Sequence, residues 1–134
     1  MWRNVSNAIL LLGLLILLTA CQVTQSAFTR MAGNAGSAFA AASTTITYTH
    51  EGRITVAYAR SSFENYQREL SGLDQQLSSQ QGAPDARTIR HLLALYKSAM
   101  QAVNVPCLDQ SCDWHAQVAA IDRASKAFQD ASGQ

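Results

Sequence analysis

Residues 56–77 read VAYARSSFENYQRELSGLDQQL, and the spacing of their apolar side chains decides the fold class. Val56, Ala59, Phe63, Tyr66, Leu70, Leu73 and Leu77 follow one another at steps of three or four, the period that lays a stripe along one face of a helix. Glu64, Glu69 and Asp74 fall outside the stripe and read as its solvated side. With its flanks this stretch is expected to make one helix of about eight turns. It should end near residues 78–82, where the text turns polar before Gly82-Ala83-Pro84.

The same period continues downstream. Pro84 suits the first turn of a further helix, because its missing N–H would have no intrahelical partner there. That helix is expected from about Asp85, with Ile89, Leu92 or Leu93, Tyr96, Met100 and Val103 on one face and Pro106 ending it. The last helix is expected to start at Ser111 or Asp113, residue types whose side chains accept bonds from unpaired first-turn amides. Its stripe is Trp114, Val118, Ile121, Ser125 and Phe128, and it frays toward Gly133.

Upstream, Phe28, Met31, Ala35, Phe39, Ala42 and Ile46 keep the helical step, while Gly33, Asn34 and Gly36 weaken it. An interior helical glycine costs about 1 kcal/mol relative to alanine. Two readings stand: small residues that let a neighbouring helix come close, or a tether over residues 21–36. Residues 44–49 and 54–58 also alternate β-branched side chains around His50-Glu51-Gly52-Arg53 like a hairpin. A two-stranded hairpin is marginal in water and no third strand is visible, so two helices meeting near residues 49–52 are the preferred reading. One long bent helix is the other. The fold expected is all-α: a small antiparallel helical bundle, four helices if the chain reverses at Gly52 and three if it does not.

Residues 1–20 have a different character. Arg3 is the one basic side chain ahead of an apolar run over residues 8–20, broken only by Gly13 and Thr19. A spanning helix needs about 20 apolar residues, and this run is shorter and gives way at once to polar text. It has the layout of a secretory signal with small residues at its exit. The residues that close it, Leu18-Thr19-Ala20-Cys21, resemble the lipobox of bacterial lipoproteins. The resemblance implies a leader over residues 1–20, cut before Cys21, a diacylglycerol on the Cys21 sulfur, and acylation of the new N-terminus. Two or three acyl chains at one residue make a stable anchor where one would not. Gln22 follows, not Asp, so nothing resembles an inner-membrane retention signal; the extracytoplasmic face is expected, without a choice of membrane.

Removing a 20-residue leader from the 134-residue chain leaves residues 21–134, enough for one domain with a modest core. Of ten basic residues Arg3 goes with the leader, leaving nine scattered among nine acidic ones. That balance offers no footprint for nucleic acid. Besides Cys21 only Cys107 and Cys112 remain, and an exported pair so close in sequence is expected to be a disulfide. Trp114 would then cover the sulfurs at the start of the last helix.

The chemical alternatives are thin. Cys107, Cys112 and His115 with Asp109 or Asp113 are donor types for zinc or copper, but only with reduced thiols. Neither Cys-x-x-Cys nor Cys-x-x-Cys-His occurs. His50, His91 and His115 are preceded three residues earlier by Thr47, Thr88 and Cys112, so the Glu-x-x-His pairs of di-iron bundles are missing. A haem between His50 and His91 has nothing to recommend it. No Gly-x-Ser-x-Gly elbow or phosphate loop is present. Tyr48, Tyr58, Phe63, Tyr66 and Tyr96 read as core residues with hydroxyls at the rim, or as a docking groove. The expectation is therefore no enzyme, no metal and no cofactor. It is an envelope lipoprotein, anchored through Cys21, that acts through protein contacts as an accessory or scaffold subunit. The alternative is a helical binding module for a small apolar ligand or cofactor.

Overall fold

The computed structural model describes residues 26–80 and 85–133. They form α1 (Ala27–His50), α2 (Val56–Leu70), α3 (Leu73–Ser79), α4 (Ala86–Asn104) and α5 (Trp114–Ser132), with no strand among them. Cys21 and the leader lie outside the described residues, as does the expectation for Pro84. Each long helix begins on a side chain that accepts from the amide three residues on: Ser26 from Thr29, Thr55 from Tyr58, Asp85 from Thr88 and Asp113 from Ala116. Such caps satisfy one of the four orphan amides at each helix start.

Contacts between helices give the chain direction. Gly36 meets Ser125 and Gln129, whereas His50 meets Trp114, so α1 and α5 run in opposite senses. Thr45 Oγ1 and Tyr66 Oη lie 3.0 Å apart between α1 and α2, and Tyr96 Oη donates to the Leu70 carbonyl from α4. Gln67 Nε2 donates to the Val103 carbonyl at 3.0 Å. The result is an up-down-up-down bundle in which α1 touches α2 and α5, and α4 closes the ring. Phe39, Ile46, Phe63, Leu77, Leu92, Ile121 and Phe128 are fully buried at its centre. Phe39 meets Tyr96 and Phe128 with ring centroids 6.3 and 5.8 Å apart.

The α1–α5 contact is the most extensive between helices among the described residues, and small residues explain it. Ala32, Ala35, Gly36 and Ala42 are buried along α1. A Cβ at Gly36 would stand 3.1 Å from the Gln129 backbone nitrogen and 3.2 Å from the Ser125 carbonyl oxygen. This corrects the tether reading of residues 21–36 over its described part: from Phe28 onward the chain is packed.

Residues 44–50 are helical, and the hairpin reading is likewise set aside. Thr44, Thr45, Thr47 and Thr49 each return a hydroxyl hydrogen bond to the carbonyl four residues back, at 2.7–3.1 Å. These bonds give the hydroxyls a partner within the helix itself. The chain reverses over residues 51–55, with Gly52 at φ +69°, so the four-helix form is the one adopted.

One expectation needs a larger correction. The stretch 56–77 is not a single helix: Ser71 is extended and Gly72 takes φ +75°, dividing it into α2 and α3. Leu70, Leu73 and Leu77 are nevertheless all buried. The break therefore leaves the apolar stripe in place.

Candidate functional site

Two reversals of the chain, residues 51–55 and 105–113, meet at one end of the bundle. At this end stand the C-termini of α1 and α4 and the starts of α2 and α5. Cys107 and Cys112 are disulfide-bonded, with Cα atoms 5.8 Å apart. Cys107 is buried at 2 % exposure, while Cys112 is exposed. The bond takes both thiolates out of any metal set, and among the described residues no group of three His, Cys, Asp or Glu side chains is placed to hold an ion.

The staple is reinforced from two other elements. His50 Nε2 lies 2.9 Å from the Cys107 carbonyl oxygen, which can only accept, so Nε2 carries the proton. Gln117, one turn into α5, accepts from the Cys107 amide at 2.7 Å and donates to the Val105 carbonyl at 2.9 Å. Trp114 stacks with two imidazoles, His50 at 4.6 Å and 7° and His115 at 3.7 Å and 28°. The tryptophan expected to shield the sulfurs thus joins the loop to α1. His91 belongs to the other end of α4.

Asp109 organises the rest of the loop. Its Oδ1 accepts from the Ser111 amide at 2.8 Å and from the Ser111 hydroxyl. These bonds, helped by the charges of His50 and Arg60, hold its carboxyl below the usual carboxylate range. On the other reversal, the Arg53 guanidinium sits 3.8 Å over the Tyr48 ring and pairs with Glu51 at 3.5 Å.

Large apolar side chains stand exposed at this same end. Val105 is 74 % exposed, Tyr58 63 % and Val56 39 %. The other aromatic candidates are otherwise employed. Phe63 and Tyr96 are buried, and Tyr66 packs edge-on to Phe63 at 5.5 Å while bonding Thr45. A concavity of about 430 Å³ lies between α4 and α5, lined by His91, Leu95, Asp122, Arg123, Lys126, Ala127 and Asp130.

Sequence reading finds the staple but not its supports. His50 is 57 residues from Cys107, and no local pattern couples them. Gln117 has a partial signal, since one turn after Asp113 places it near the start of the last helix. Comparison with protein-family models, curated sequences and solved structures finds no match.

Proposed function

We propose that the protein is a non-enzymatic, lipid-anchored envelope lipoprotein that acts through protein contacts as an accessory or scaffold subunit, with the stapled end as its contact surface. The observation that supports this most is the gathering of Val56, Tyr58 and Val105 at the end remote from the start of α1. Contact surfaces of soluble domains combine exposed aromatic and aliphatic side chains with a fixed backbone, and the disulfide, His50 and Gln117 supply the second part. Cys21 precedes Ala27 by six positions, so an acyl anchor there holds the opposite end at the membrane. The 24 residues of α1, at about 1.5 Å each, carry the contact surface about 36 Å outward.

A photo-crosslinking residue at Tyr58, in cells that make the protein, is expected to give a discrete protein adduct. The same residue at exposed Arg90, in the early turns of α4, is expected to give none. Equal or absent adducts at both positions would remove the contact reading. The concavity between α4 and α5 favours the second reading, a helical binding module. Its volume falls within the range of about 300–1,000 Å³ typical of ligand sites, with Leu95 and Ala127 as apolar lining beneath a charged rim.

A further inference from the structure

The two sulfurs of the staple differ in three respects, and together these bear on how it reacts. First, Cys107 is buried and Cys112 is exposed, so a thiol approaching from solvent meets the Cys112 sulfur. Second, the Cys107 backbone is bonded to two helices besides the disulfide, through Gln117 at its amide and His50 at its carbonyl. Residues 109–112 are tied by the disulfide, by the Asp109–Ser111 bonds within the loop and by the Trp114 amide, which donates to the Cys112 carbonyl at 3.1 Å. Third, Asp109 Oδ1, pinned by Ser111, stands 3.8 Å from Cys112 Sγ. The charges that temper this carboxylate are His50 and Arg60.

We propose that Cys112 is a thiol-exchange site for small thiols, with Cys107 as the resolving sulfur and Asp109 as the charge that favours cationic thiols over anionic ones. An external thiolate forms a bond to Cys112 Sγ as the Sγ–Sγ bond breaks. The electron pair leaves with Cys107 Sγ, which takes a proton from water. The incoming sulfur is oxidised to the disulfide level and Cys107 is reduced to a thiol. Deprotonated again, Cys107 attacks the mixed disulfide at Cys112 Sγ and expels the small thiol. Because His50 and Gln117 hold Cys107 throughout, the loop opens and recloses without separation of the helix ends. The inference does not require the lipid anchor or the contact surface.

Asp109 sets the selectivity. A unit charge on the incoming molecule passing roughly 4 Å from the carboxylate in water changes the encounter by about fivefold. Exposed charges are screened at high salt, where the Debye length shrinks to about 3 Å in 1 M electrolyte. The effect should therefore fade with ionic strength.

The full chain is treated with cysteamine or glutathione, quenched in acid, and digested for mass mapping of mixed disulfides, with rates normalised to the thiolate fraction of each reagent. The adduct is expected on Cys112 and not Cys107, with cysteamine roughly 25-fold faster than glutathione, because their charges differ by two units. The preference should vanish in Asp109→Asn and in 1 M salt. Single variants provide a second measurement: with cystamine, the free Cys112 of Cys107→Ser should react at least tenfold faster than the free Cys107 of Cys112→Ser. An adduct on Cys107, or none on either sulfur, would overturn the site. A Cys112 adduct with equal rates for the two thiols would overturn the role of Asp109. Cys21 lies in a different peptide and does not enter the comparison.

Discussion

Gly36 is the residue on which the α1–α5 contact turns. An added Cβ would lie 2.8 Å from Gln129 Cγ, which can swing aside. The Gln129 nitrogen and Ser125 carbonyl, at 3.1 and 3.2 Å, belong to helix backbone and cannot move independently. Relief therefore requires the two helices to separate. Ser125 Oγ donates to the Gly36 carbonyl at 2.8 Å, so separation also stretches a buried hydrogen bond. Against this stands the gain of about 1 kcal/mol from replacing an interior helical glycine by alanine. Overpacking costs about 1–3 kcal/mol, and here the constraint is backbone on both sides. Gly36→Ala is expected to lower stability by up to about 2 kcal/mol in urea denaturation, the remainder of that cost after the propensity gain. An unchanged or raised midpoint would mean that the helices adjust freely.

At the scale of the element, helix starts are the most legible part of the sequence. Asp113, one of the two capping residues the sequence offers, caps α5, and Asp85, near which a helix is expected to begin, caps α4. The α2–α3 break was hidden for a physical reason. Leu70 and Leu73 are three apart, so the stripe keeps its phase across Gly72, and periodicity cannot register a residue at positive φ that leaves the buried face intact. The β-branched run at residues 44–49 offers a competing hairpin that is rightly not preferred, because burial of Thr45 and Ile46 on the helical face outweighs a weak local preference. The cap at α4 has a pH signature. Hydrogen bonds from the Thr88 amide and hydroxyl lead the causes that lower the Asp85 pKa. A carboxyl depressed in the folded state contributes stability that is fully present above its unfolded pKa and is lost as pH falls through the folded value. Below about pH 4, the ordinary range for aspartate, α4 should lose this support. Asp85→Asn keeps a capping side chain that does not titrate. Its melting temperature should fall less steeply than that of the unchanged protein as pH drops from about 4; parallel curves would show that the cap charge does not contribute.

For the whole molecule, the two ends have different origins in the sequence. The staple was legible because Cys107 and Cys112 lie five apart in a chain with few cysteines, whereas the surface around it forms only when α1 brings His50 to the loop and α2 brings Tyr58 to the same end. No helix among the described residues is long and apolar enough to cross a membrane. On the proposed reading, attachment falls to Cys21 by valence: a single chain binds a bilayer marginally and reversibly, whereas two or three chains hold stably. Cys21→Ser removes the sulfur that would carry the diacylglycerol without touching any residue from Ala27 onward. The variant is expected to lose incorporation of a palmitate analogue completely. Its bundle should keep the same melting temperature, because no packed side chain is changed. If the contact partner is itself fixed in the envelope, the Tyr58 adduct should fall with the label, since anchoring confines both molecules to one surface and raises their effective concentration. Full labelling of Cys21→Ser would defeat the anchor, whereas lost labelling with an undiminished Tyr58 adduct would show that the partner is reached from solution.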